Sequence, residues 1–173
     1  VREGNSLLGI PVRFSNNQNN QPKKEKQNTM KTQCVEPIDA LVIHLGVKRG
    51  EIKEEPHSHY GLPCFYIGEK VYAVGDDEQA GEALYEYIEQ SVWAFNASFV
   101  ASECNLPESE GMIKCAQEKC ESANDGILAM IKGTCGLKSF VDSAESADGR
   151  GHFLSPYDGE ENEVDGFFIY RIN

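Results

Sequence analysis

The stretch CFYIGEKVYAVGDDEQAGEALYEYI, residues 64–88, constrains the fold more than any other part of the chain. Two runs rich in aromatic and β-branched residues meet at Gly68-Glu69, which predicts a hairpin with Gly at the first turn position. A helix start follows at once. Asp76-x-x-Gln79 matches a capping box, and acids crowd the first turn, where the helix dipole favours them. Ala80, Ala83, Leu84, Tyr87, Ile88, Val92, Phe95 and Phe99 then recur at three- and four-residue spacing for about six turns. A hairpin that feeds straight into an amphipathic helix must pack against that helix, so this segment predicts the spine of the core, ending near Cys104.

The remaining elements are read around that unit. ALVIHLGV, residues 40–47, is a short apolar run compatible with a strand or a helix start, and its branched residues favour a strand. VKRGEIKEEPHSHYGLP then reads as a polar connection punctuated by Gly and Pro. Pro107 opens a second helix through Met112, Ile113, Ala116, Cys120 and Ala123, and Asn124-Asp125-Gly126 marks a break before ILAMIKG. Thr134 is positioned to cap a third helix carrying Leu137, Phe140, Val141 and Ala144. Near the end, Asp165-Gly166 separates two strand-like runs and predicts a second hairpin. The order hairpin, three helices, hairpin predicts an α+β fold, an antiparallel sheet covered on one face by about three helices.

The 173 residues suffice for one domain with its own core, and 40% apolar with 25% charged residues is ordinary for a globular chain. No apolar run approaches the roughly 18 residues of a membrane span, and no secretory signal layout is visible, so a cytoplasmic home is expected. Residues 1–29, with the tract NNQNNQPKKEKQNT, lack any helical or strand period and are expected to lie outside the domain, which spans residues 30–173. An initial Val fits a reading frame opened at a GTG codon. Lys24-Glu25 is encodable as a bacterial ribosome-binding site ahead of Met30, so residues 1–29 are expected to be either translated leader or a flexible basic tail. Cys34, Cys64, Cys104, Cys115, Cys120 and Cys135 form no C-x-x-C pair and are expected to be reduced.

Charge is divided unevenly. Residues 1–33 carry six basic and two acidic side chains, a net of +4, whereas residues 34–173 carry ten basic and 26 acidic, a net of −16. Such a body repels nucleic-acid phosphate and argues against direct DNA or RNA binding through the folded domain.

Candidate chemistry is sparse. There is no G-x-S-x-G turn, no phosphate-cradling glycine loop and no motif implying a cofactor. His57 and His59 stand at i and i+2, so on a strand they face one way and are candidate zinc ligands, although solvated loop histidines are the commoner case. Asn96-Ala97-Ser98 matches a glycosylation acceptor but falls inside the expected spine helix. On that helix Phe95 and Phe99 share the core stripe, while Trp93 points elsewhere and offers a partner or homodimer surface. In DGRGHFLSPYDGEENEVDG, residues 148–166, glycines flank Arg150, so Asp148, Arg150 and His152 are candidates to converge on one catalytic pocket, with Tyr157 nearby. Glu161, Glu163 and Asp165 would form a carboxylate row on one strand face, at about 7 Å steps. Such a row either meets a basic partner or guards a strand edge.

Through WAFNASF and DGRGHFLSPYDGEE the chain resembles a group of small, functionally unassigned proteins of tailed bacteriophages and bacterial mobile elements, over most of residues 60–173. The resemblance implies an accessory protein and brings no catalytic residues with it. Together with the acidic body it leads to the expectation of a binding protein that meets a basic surface on a host or phage protein, for instance as a nucleic-acid mimic. The competing expectation is a small enzyme or metal-dependent hydrolase built on Asp148, Arg150 and His152.

Overall fold

A computed structural model describes residues 36–173, which fall within one unit, Gln33–Asn173. The expectations about residues 1–29, the start at Met30 and Cys34 lie outside the described residues. The chain runs α1 (Pro37–Leu45), β1 (Lys53–His59), β2 (Leu62–Ile67), β3 (Lys70–Asp76), α2 (Asp77–Ser91), α3 (Ala97–Glu103), α4 (Glu110–Gln117), α5 (Asn124–Gly133), α6 (Leu137–Leu154), β4 (Asn162–Val164) and β5 (Phe167–Arg171). The fold is α+β. Both predicted hairpins are present and join one five-stranded antiparallel sheet of order β1-β2-β3-β5-β4.

The sheet has two buried faces rather than one. Leu62, Cys64, Ala73 and Tyr170 point into the larger core with α2, α3, α5 and α6. Phe65, Tyr72, Val74 and Ile169 alternate with them and pack against Ile38, Ala40 and Leu41 of α1. The near-continuous apolar run of β3 requires cover on both sides, which a single helical layer cannot give. The segment at residues 40–47 provides that cover as a helix, contrary to the strand expectation. Pro37 sits in its first turn, Asp39 follows there, and Gly46 ends it in the left-handed region (φ 65°) with its N–H on the Val42 carbonyl. Those start and stop signals outweigh the branched composition.

The expected polar connection contains β1. It is an edge strand, exposed along most of its length, and its register shifts between Glu55 and His59 around Pro56. Charges, a proline and a bulge are the devices that keep an edge from recruiting another chain. They also erase the alternation by which a strand is recognised.

The expected spine helix is broken. The capping box forms as predicted, Gln79 N–H donating to Asp76 Oδ1 (2.9 Å) and Asp76 N–H to Gln79 Oε1 (3.0 Å). α2 stops at Ser91, a 3-10 turn covers Val92–Ala94, and Phe95 is extended. Asn96 then starts α3 by accepting from the Ser98 N–H (2.9 Å), so a local side-chain cap competes successfully with helix continuation. Trp93 lies in the turn, half-buried against the core, with its backbone N–H donating to Asn124 Oδ1 (3.2 Å). The expected second helix is likewise divided, into a 3-10 turn, α4 and a further 3-10 turn at Cys120–Ala123. Asn124-Asp125-Gly126, expected as a break, instead form the first turn of α5, and the third helix, α6, begins after Gly136. Thr134 caps backwards, its hydroxyl donating to the Met130 carbonyl at the end of α5 (2.8 Å).

Candidate functional site

The stretch from Asp148 to Gly166 divides at Gly149, whose φ of 75° interrupts α6. Only glycine takes this conformation without strain, and the residues around the break are shared between two different cavities.

On the C-terminal side, Arg150 is the anchor. Its side chain is 11% exposed; Nη1 donates to Asp77 Oδ1 (2.8 Å), and Nε and Nη2 donate to the two carboxylate oxygens of Glu161 (3.0 and 3.4 Å). Glu145 lies 3.7 Å from Nε, and the guanidinium carbon sits 4.2 Å from the Phe168 ring centroid. The Tyr170 hydroxyl donates to Glu161 Oε2 (2.5 Å). Burial alone would pull the Arg150 pKa down, but Asp77 and Glu161 more than offset it, and the pKa is raised. Burial, followed by the Glu161 carboxylate, raises that of Tyr170. All five donors of a guanidinium point outward in a fixed fork, so an arginine held this way fixes the elements that supply its partners. Here those elements are α2, α6, β5 and the segment before β4.

The chain then folds back on itself. A Cβ on Gly151 would meet the Gly159 carbonyl oxygen at 2.4 Å, so only glycine admits this approach. The buried Ser155 hydroxyl lies 2.8 Å from Asp158 Oδ1 and 3.0 Å from the Arg171 carbonyl, and accepts from the Arg171 N–H (2.9 Å). Asp158 also accepts from the Glu160 N–H (3.0 Å). Tyr157 is 57% exposed and carries the Arg171 guanidinium 3.4 Å from its ring centroid. Ser155 to Glu160 thus form a clasp that ties the end of α6 to β5.

The carboxylate row does not form. Glu161 precedes β4 and is committed to Arg150 and Tyr170, Glu163 is exposed within the strand, and Asp165 lies in the turn with φ 50°. A row needs three successive same-face strand positions, and β4 is only three residues long.

Asp148, before Gly149, and His152, after it, are both exposed and open onto a different surface. Asp148 and His152 line one cavity of about 270 Å³ together with Tyr87, Phe95 and Asn96. An adjoining cavity of about 580 Å³ shares Phe95, Asn96 and Asp148 and continues along Phe99 and Ser102 of α3. The rings of Phe153, Phe95 and Phe99 form a ladder, Phe95 stacked at 5.8 Å on Phe153 and 6.2 Å on Phe99. Of the three residues expected to converge, Asp148 and His152 line one cavity. Arg150 does not join them: it lines a separate cavity of about 420 Å³ between α2 and α6, with Glu78, Glu82, Asp142 and Glu145 around it. Arg150 and His152 both follow Gly149; they are separated because Asp77, Glu145 and Glu161 draw the Arg150 guanidinium to the other cavity.

The two β1 histidines also differ. His57 is 89% exposed, with Nδ1 3.2 Å from Glu55 Oε1. His59 is half-buried, its ring edge-on to Tyr60 at 4.8 Å, and its buried Nε2 has no hydrogen-bond partner among the described residues. Burial lowers the His59 pKa, and the Leu154 backbone offsets this in part. Among the described residues no group of three His, Cys, Asp or Glu is placed to hold a metal ion. Cys64, Cys104, Cys115, Cys120 and Cys135 are free thiols, and no helix among these residues is long and apolar enough to cross a membrane.

No family model, curated protein or solved structure matches the chain. Sequence reasoning missed the role of Asn96 as a helix cap at the groove and the partnership of Arg150 with Asp77, 73 positions away. The Asn96-x-Ser98 pattern was a usable cap signal; nothing local signals the Asp77 contact.

Proposed function

We propose that the chain is a small accessory protein of phage or mobile-element type that acts in the bacterial cytoplasm by binding a basic surface on another protein. The observation that carries this reading is the disposition of charge. Five of the ten Lys and Arg side chains in residues 34–173, Arg49, Lys114, Lys132, Lys138 and Arg150, are paired to carboxylates inside the fold. The remaining carboxylates far outnumber the remaining cations. In the α2–α6 cavity Lys138 holds Asp142 (2.9 Å) and Arg150 holds Asp77 (2.8 Å), while Glu78 and Glu82 enter no ion pair with a described residue. Such a surface steers a basic partner by long-range attraction, and competes with nucleic acid for a basic groove. The hydrolase alternative required Arg150 beside Asp148 and His152, and Arg150 lines a different cavity.

The test is affinity capture from a bacterial lysate with wild type and the Glu78→Gln/Glu82→Gln variant side by side, at low and at high salt. The proposal expects a partner with a basic surface, captured less by the variant, released by salt and displaced by duplex DNA. Screening of exposed charges beyond about 10 Å at 0.1 M sets the salt range. A partner held equally by both proteins at both salts, or none at all, contradicts it.

A further inference from the structure

The fold twice builds the same arrangement, a guanidinium laid on an aromatic ring with a carboxylate beside it. Arg150 lies over Phe168 with Glu161 and Asp77, and Arg171 lies over Tyr157 with its charge acting on Asp158. A third site has the ring and the carboxylate but no arginine. Phe95 and Phe99 line the open groove beside Asp148, and no Lys or Arg lines either of its two cavities. Asp148 is exposed and enters no ion pair with a described residue, because Arg150 is turned to Asp77, Glu145 and Glu161. Asn96 uses its Oδ1 on the N–H and hydroxyl of Ser98 (2.9 and 2.7 Å), which points to its amide NH₂ as the group left to donate.

We propose that this groove receives an arginine side chain from a basic segment of the partner protein, laid against Phe99 at the end of the ring ladder and paired to Asp148. This rests on the reading of the chain as a binder of basic proteins, and assigns the contact that gives that binding its residue preference. Arginine rather than lysine is specified because a planar guanidinium stacks on a ring while donating in its own plane, whereas an ammonium is a compact, strongly hydrated point charge. Charge complementarity favours a protein segment as occupant. The groove carries a carboxylate and no fixed cation within a body of net charge −16, which repels phosphate-bearing ligands.

The experiment uses the full chain and three fluorescent peptides of alternating glycine with arginine, lysine or citrulline, titrated by anisotropy at low salt. The expected order is arginine tightest, lysine weaker by about three-fold or more, and citrulline weaker still. Asp148→Asn should weaken the arginine peptide by about three- to ten-fold while leaving the melting temperature unchanged. Ser102→Arg, at an exposed position of α3 lining the groove, supplies the missing arginine in cis and should remove the preference for arginine over lysine. If both basic peptides bind equally and neither variant changes them, the groove is not the site, although binding of basic segments stands. If neither basic peptide binds more tightly than citrulline, both readings fail.

Discussion

The Arg150 cluster and the groove at Asp148 are built from the same ingredients, phenyl rings and carboxylates, yet one is closed and the other open. Beyond the glycine, Arg150 is almost wholly covered, and it gathers Asp77, Glu161 and the Phe168 ring around one guanidinium. In the groove Asp148 is exposed, and Phe95 and Phe99 are half-buried against the core. A polar group whose partners come from its own chain stabilises the fold. One whose partners are missing, beside half-exposed rings, is available to something else. Chemical type is therefore a poor guide to function here; internal satisfaction separates the anchor from the binding surface.

The comparison is broken most forcefully at Arg150. Arg150→Ala leaves Glu161 partly buried without its cation and should cost about 3 kcal/mol or more in urea unfolding, because stripping one partner leaves an uncompensated charge. Asp148→Asn, two residues away, should change stability by no more than about 0.5 kcal/mol. Comparable losses at the two positions would erase the distinction. Gly151→Ala should cost about 1 to 3 kcal/mol, since the new methyl collides with the backbone at Gly159 rather than with a movable side chain. Ser155→Ala, which removes the bonds to Asp158 and Arg171, should cost about 1 to 2 kcal/mol and loosen the clasp, read as faster hydrogen exchange at the Arg171 amide.

A smaller effect sharpens the picture through pH. Burial places the folded-state pKa of His59 below its ordinary value of 6.5. The neutral ring is favoured in the folded protein, so its contribution to stability is intact above the unfolded pKa and is lost as the pH falls from about 6.5 toward the lower folded value. His59→Phe keeps the edge-on ring contact, removes the unpartnered Nε2 and should flatten the fall in melting temperature between pH 7.5 and pH 5. An unchanged slope would assign the acid sensitivity to other groups.

Legibility followed the range of the interactions. The Asp76–Gln79 box, the Gly68-Glu69 turn and the Asp165-Gly166 turn are set within four residues, and all three form as read. The α1 helix was misread because its apolar run was weighed above Pro37 and Gly46, although both signals were present. β1 was not legible, since an edge strand with Pro56 and only charged or polar residues around it has no buried face to announce it. The break at Asn96 was hidden because Phe95 and Phe99 keep helical spacing and still stack across it. At the candidate site the shared cavity of Asp148 and His152 was legible from the glycines between them. Their separation from Arg150 was not, because it depends on Asp77 and Glu161, 73 and 11 residues distant, drawing the guanidinium to the other cavity.

The most direct test of the division between the Arg150 cluster and the Asp148 groove is chemical-shift mapping of the full chain titrated with the arginine-glycine peptide. The account predicts perturbations concentrated at Asn96, Ser98, Ser102, Asp148 and His152, with the resonances of Asp77, Phe168, Tyr170 and the Arg150 side chain unmoved. Perturbations centred on the Arg150 cluster, or spread evenly over every exposed carboxylate, would contradict it.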